Sequence, residues 1–189
     1  MEEIEVKFLD IDIKEIEEKL KNLGATKVFD FLYKRRVFDF KDKSLESNNS
    51  WLRLRDEGDK ITLTYKRRFG VGENRLKDEG MHEIEVNVSD FQKTAELLNS
   101  IGMKEKFYEE NRRVKYTIDD VEFCIDTWPL IPTYLEIEGK SWESVEKSVT
   151  ILGLDWNNHI KCSTMQIYEH YGLNENDFSV LTFKEQTKK

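Results

Sequence analysis

Glu3-Ile4-Glu5-Val6-Lys7-Phe8, the stretch EIEVKF at residues 3–8, alternates charged with apolar side chains and ends its charged series on a base. Successive side chains of a strand point to opposite faces, so Glu3, Glu5 and Lys7 share one face and Ile4, Val6 and Phe8 the other. The pattern returns as HEIEVNV at 82–88 and as LEIEG at 135–139. One such strand alone reads as half-buried, with its charges in water.

The rest of the chain argues against treating each copy alone. Arg53 and Arg55 oppose Leu52 and Leu54, and Thr62, Thr64, Lys66 and Arg68 oppose Ile61, Leu63 and Tyr65. Glu83 and Glu85 oppose Ile84, Val86 and Val88; Arg113, Lys115 and Thr117 oppose Val114, Tyr116 and Ile118; Glu136 and Glu138 oppose Leu135 and Ile137. Acids are thus sorted onto three strands and bases onto others, whereas a merely soluble surface mixes its signs. If the sheet closes with its aliphatic face outward under helices, the sorted charges line an interior. Charges held there cost several kcal/mol each unless paired or bound to a ligand. Clustered carboxylates suit Mg²⁺ or Mn²⁺, and Arg and Lys suit phosphate oxygens. Together they describe a polyphosphate carrying a divalent metal.

Helices separate the strands. DIKEIEEKLKNLG reads as a helix capped by Asp12 and stopped at Gly24, with Ile13, Ile16, Leu20 and Leu23 on one face. A second, capped by Ser89, carries Phe91, Ala95, Leu98 and Ile101 inward and stops at Gly102. A third points Trp142, Val145, Val149 and Leu152 inward, and a fourth covers about 163–171. SWLRLRDEGDKITLTYKRR reads as a hairpin, and 67–80 as a long loop, first of all a solvated connection, whose Arg67, Arg68, Arg75 and Lys77 would also suit a lid over an anion. EIEVKF, helix, then KRRVF is echoed by EIEVNV, helix, then NRRVK. The stop Gly24 lies 21 residues after Glu3, and Gly102 lies 19 after Glu83. Two such β-α-β-β-β units give an α+β fold of about eight mostly antiparallel strands, enough to close a β-barrel with helices packed outside. The expected organisation is one domain over 1–172 with a loosely held tail over 173–189.

Composition narrows the function. The chain has 189 residues, 36% of them charged, and a net charge of -8, which argues against a general nucleic-acid binder. Eleven Phe, seven Tyr and four Trp exclude a disordered polyelectrolyte. Two cysteines without CxxC spacing, no apolar run of about 20 residues and a first strand that leaves no room for a leader point to the cytoplasm and away from a membrane.

The ordered motifs resemble the CYTH superfamily, the triphosphate tunnel metalloenzymes, which include class IV adenylyl cyclases, thiamine triphosphatases and inorganic triphosphatases. Glu3-Ile4-Glu5-Val6-Lys7 is similar to the family's Glu-x-Glu-x-Lys signature at the N-terminal end. WLRLRDEG resembles its Arg-x-Arg strand, LTYK supplies Lys66, HEIEV supplies Glu83 and Glu85, NRRVKY supplies Arg113, and IDTWPLIPTYLEIEG supplies Asp126, Glu136 and Glu138. The resemblance runs from residue 3 to about 171 and implies an eight-stranded antiparallel tunnel. It departs at Arg35 and Arg36, where acidic or neutral residues are common, at Asn111, where a Lys is common, and at KCSTMQIY, which matches only loosely.

By this resemblance Lys7, Arg53, Arg55, Lys66, Arg113, Lys115 and Lys161 hold the triphosphate. Glu3, Glu5, Glu83, Glu85, Asp126, Glu136 and Glu138 bind Mg²⁺ or Mn²⁺, with Lys7 and Glu5 nearest the chemistry. The implied activity is metal-dependent hydrolysis of tripolyphosphate, thiamine triphosphate or ATP. The alternatives are a class IV adenylyl cyclase making cyclic AMP and pyrophosphate, and a non-catalytic polyphosphate or nucleotide binding module. The partner is a small molecule, and the sequence leaves a homodimer open. His82, His159 and His170 have no metal-ligand spacing. Trp51 and Trp128 read as plugs at the ends of the sheet, and Trp128 beside Asp126 is the one to test for stacking on a base.

Overall fold

A computed structural model describes residues 4–69 and 81–189. Glu3, Arg75 and Lys77 lie outside the described residues. Among the described residues ten strands and five α-helices follow in the order β1 (Ile4–Phe8), α1 (Ile13–Asn22), β2 (Thr26–Phe40), α2 (Ser44–Ser47), β3 (Ser50–Asp56), β4 (Ile61–Arg68), β5 (Met81–Asn87), α3 (Phe91–Ser100), β6 (Met103–Ile118), β7 (Val121–Thr127), β8 (Tyr134–Gly139), α4 (Trp142–Ile151), α5 (Thr164–His170), β9 (Phe178–Leu181) and β10 (Gln186–Lys188). The hydrogen-bonded path runs β1-β8-β7-β6-β2-β3-β4-β5, with β9 parallel beside β6 and β10 antiparallel on β9. Among the described residues no helix is long and apolar enough to cross a membrane. The chain forms two compact units, 1–31 with 111–176, and 32–110 with 177–189.

In the first unit the aliphatic alternates become the core. Val6, Phe8, Phe123, Ile125, Leu135 and Ile137 from the strands bury against Ile16 and Leu20 of α1, Val145 and Val149 of α4, and Leu152 just beyond it. Each such side chain contributes about 1.5–3 kcal/mol on burial. Asp12 caps α1 by accepting from the Lys14 and Glu15 amides at 2.9 and 3.1 Å. Gly24 leaves it at φ +78°, a left-handed value that favours glycine. Ser141 and Ser144 form a reciprocal capping box on α4. Gly139 runs so close beneath that cap that a Cβ there would meet Ser144 Oγ at 2.7 Å. Trp142, expected inward, is 40% exposed, because it is the first helical residue and the buried stripe begins a turn later.

Arg112 grips Asp30 through two hydrogen bonds of 2.7 Å, which brings the Asp30 carboxyl down to about 2, ahead of the opposing effect of its partial burial. A carboxyl depressed in the fold contributes stability that is complete above its unfolded value near 3.9 and lost as pH falls towards about 2. Arg112 is 57% exposed, so solvent screening reduces the contribution to about 1 kcal/mol. D30N is expected to lose that amount at neutral pH and to converge with the wild type in acid. Denaturant melts at pH 7 and near pH 2 measure it, and a constant difference would refute the pairing's role.

In the second unit Phe38, Leu54, Ala95, Leu98 and Met103 form the core, with Leu52, Leu63, Val88 and Phe91 packed on it. The cap of α3 is Asp90, accepting from the Lys93 amide at 2.8 Å, one residue beyond the expected Ser89. Ile101 ends that helix and is 63% exposed. Asp39 is buried because its carboxylate takes the Phe40, Leu45 and Glu46 amides, fixing α2. The segment expected as a loose tail supplies β9 and β10, and Phe178 and Leu181 are buried.

Candidate functional site

Register turns the alternation into rows. In the first unit Glu5 stands opposite Glu138, which stands opposite Glu122; one row along, Lys7 faces Glu136, Glu136 faces Cys124, and Cys124 faces Lys115. Like charges directly opposite one another are destabilising, so the row of Glu5, Glu138 and Glu122 calls for cations. Lys7 is one. Its ammonium is 5% exposed, contacts Glu5 and lies 3.1 Å from Glu136. Burial alone would lower that ammonium, and the Glu136 and Glu5 carboxylates outweigh it, holding Lys7 above its ordinary value.

Carboxylate oxygens of Glu5, Glu136 and Glu138 lie within 4.8 Å of one another, close enough to share one ion. Three hard oxygen donors fit Mg²⁺ or Mn²⁺. Asp126, also expected as a ligand, is fully buried and forked by Arg113, whose Nε and Nη2 donate to it at 2.9 and 2.6 Å. Asn111 adds an amide donor at 3.2 Å. Arg113 Nη2 also reaches Glu136 at 3.2 Å. Burial opposes its charge, but Asp126 and Glu136 hold its guanidinium well above the ordinary range. Lys115 pairs with Glu122 at 2.6 Å.

The Lys161 ammonium sits 3.7 Å over the Trp142 ring on α4, away from these rows. An isolated antiparallel bridge explains it. Lys7 and Ile160 exchange backbone hydrogen bonds of 2.9 Å. Continuing that register sets Cys162 across from Glu5 and turns Lys161 to the opposite face. The Cys162 thiol, raised first by burial, accordingly feels both Lys7 and Glu5.

The second unit carries a basic face. Arg35 lies directly opposite Arg55, Arg55 opposite Thr62, Arg53 opposite Thr64, and Lys66 opposite Glu83. Arg55 Nε donates to Glu57 at 2.7 Å, Lys66 pairs with Glu83 at 2.8 Å, and Thr64 donates to Glu85 at 2.9 Å. Glu83 and Glu85 therefore serve the basic strand beside them. Arg53 differs: its Nε is buried with no partner among the described residues, and so is Thr62 Oγ1. Burial, then Arg55 and Arg35, bring the Arg53 guanidinium down to about 10. Buried donors without partners require an explanation, and a bound anion supplies one. Arg35 and Glu57 are not among the expected site residues, and YKRRV at 33–37, with Tyr33 and Val37 in phase with Arg35, does not mark that face as basic. Trp128 is buried edge-on to Tyr168, with ring centroids 6.4 Å apart, and Trp51 lies under the Arg68 guanidinium.

A model of the CYTH domain matches residues 1–163. A Methanocaldococcus jannaschii protein named "Putative adenylate cyclase" is 29% identical over 156 residues, covering 80% of this chain and 84% of that one. Among solved structures, a Vibrio parahaemolyticus "putative adenylate cyclase" superposes with TM-score 0.65 at 13% identity, over 88% of this chain and 97% of its own. A Hippeastrum "putative adenylyl cyclase" described as having a dominant triphosphatase activity gives TM-score 0.57 at 17% identity, over 93% and 99%. At these identities the two structures bear on the fold alone: antiparallel strands with helices on their aliphatic side.

Proposed function

The chain belongs to the CYTH domain family, and on that premise we propose that it is a divalent-metal-dependent enzyme that hydrolyses the terminal phosphate of a triphosphate. The observation that carries this reading is the meeting of three carboxylates with the buried ammonium of Lys7. Acids alone would suit a metal and bases alone an anion, whereas both together suit a metal–phosphate complex. Glu5, Glu136 and Glu138 would hold Mg²⁺ or Mn²⁺. Bound there, the ion would offset charge on phosphate oxygens and ease ionisation of water.

The chain's own groups do the rest. Lys7 presents a cation pinned by Glu5 and Glu136, so little freedom is lost when it meets a phosphate oxygen. Arg113 is held by Asp126, with its fork already oriented. Within the second unit, Arg53 keeps a buried Nε with no hydrogen-bond partner among the described residues, which suits that face to a bound anion. Lys115 is pinned by Glu122 in the first unit, and Lys66 by Glu83 in the second.

A second reading, adenylyl cyclase, is favoured by the name of the 29% identical relative. In it the ribose 3′-hydroxyl attacks the α-phosphorus, and pyrophosphate leaves. It requires a base pocket, and the burial of Trp128 supports no stacking role for that side chain. Phosphorus NMR of the products decides. With tripolyphosphate, thiamine triphosphate or ATP and Mg²⁺ or Mn²⁺, hydrolysis gives orthophosphate. Cyclic AMP with pyrophosphate from ATP would replace this reading by the second. Saturable binding without turnover would reduce the protein to a binding module.

A further inference from the structure

One buried carboxylate has no part in this chemistry. Glu109 lies on β6 in the second unit, 7% exposed. Its nearest cation is Arg35 Nη1 at 3.7 Å, beyond hydrogen-bond distance, and no hydrogen bond to the carboxylate is found among the described residues. Arg53 of β3 is the second cation acting on it. From β9 the residue in register with it is Leu181, which is apolar and buried. The contrast with Glu57 is informative. Glu57 accepts a 2.7 Å hydrogen bond from Arg55 Nε, whereas Glu109 meets Arg35 at 3.7 Å without a hydrogen bond. Arg53 keeps a buried Nε without a partner among the described residues.

An anion drawn to Arg35 and Arg53 therefore arrives beside Glu109. Two anions there repel, unless the carboxyl carries a proton and donates it to a hydrogen bond. We propose that Glu109 is the neutral acid in the anion complex, taking one proton from solvent as a polyphosphate binds to Arg35 and Arg53 and donating a hydrogen bond to a phosphate oxygen. Burial already pushes the Glu109 carboxyl up, more than Arg35 and Arg53 pull it down. A carboxylic acid kept neutral in this way is an established donor pattern. Glu109 is thus a ligand-contacting residue that makes affinity depend on pH. The sign is fixed: the bound form holds the proton more tightly, so binding is favoured in acid and weakens as pH rises.

This inference rests on the triphosphate reading, and calorimetry separates the two. Tripolyphosphate is titrated into the wild type and E109Q, in buffers of different ionisation enthalpy, from about pH 5 to about pH 8.5, a range that spans ordinary and raised carboxyl values. The terminal phosphates titrate as well, so the readout is the difference between the two proteins. The wild type is expected to take up more protons, the excess approaching about one per anion, and its affinity relative to E109Q to fall by up to about tenfold per pH unit. A purely structural Glu109 would leave proton uptake unmoved. Glutamine matches the neutral acid in shape, and E109L, with no polar group, checks the result should E109Q melt early. Equal proton uptake at every pH overturns the role of Glu109 alone. No tripolyphosphate binding by either protein overturns the triphosphate reading and this inference with it.

Discussion

Replacing Glu136 by glutamine is expected to lower turnover of a triphosphate by about 10²–10³-fold, the cost of removing one preorganised electrostatic contributor. Glu136 belongs to the three-carboxylate cluster, lies 3.1 Å from the Lys7 ammonium and accepts from Arg113 at 3.2 Å. The substitution keeps the shape and removes one charge. A divalent ion then has two carboxylates in place of three, and Lys7 is held by Glu5 alone. The loss should fall mainly on kcat, with a higher Mn²⁺ concentration needed for half-maximal rate. Steady-state rates across a Mn²⁺ titration measure both. An unchanged metal dependence would show that this cluster is not where the ion acts.

Arg113→Met should destabilise the fold by about 3–5 kcal/mol, because it strands a buried charge. Asp126 is fully buried, both of its carboxylate oxygens accept from Arg113, the charged partner that the substitution removes, and Asn111 donates to it at 3.2 Å. For a chain of this length the loss corresponds to a melting point lower by roughly 6–20 °C. The double variant R113M/D126L removes both charges and should recover much of the loss, since an apolar pair of similar volume is often as stable as the ion pair it replaces. A single variant that melts with the wild type would mean that Asp126 finds other partners, and that Arg113 is not held by it.

Much of the site was legible because a strand has a period of two. That period alone puts Glu5, Lys7, Arg53, Arg55, Lys66, Glu136 and Glu138 on charged faces, and the structure agrees at each. What it does not carry is register between distant strands. Glu5 meets Glu138 because β1 pairs with β8, and nothing local to either stretch encodes that pairing. For the same reason the acids of HEIEVNV, identical in pattern to the first copy, are engaged by Lys66 and Thr64. Lys161, expected from the loose match at KCSTMQIY alone, lies over the Trp142 ring, and the single bridge at Ile160 sets its side. Ser89 and Asp90 are both competent caps, and only the turn geometry chooses between them. The strands at 178–181 and 186–188 are four and three residues long, too short for periodicity to announce, and they form on the edge that β6 offers. Glu109 and Arg35 needed burial and distance, which a sequence does not supply.

Manganese binding followed by electron paramagnetic resonance, in the presence of tripolyphosphate, tests the central claim most directly. The wild type should convert the free-ion signal to a bound one at a stoichiometric site, and the double variant E5Q/E138Q, which matches the side chains in shape and removes two of the three clustered charges, should lose most of that binding. Equal manganese binding by the wild type and the double variant would contradict the account.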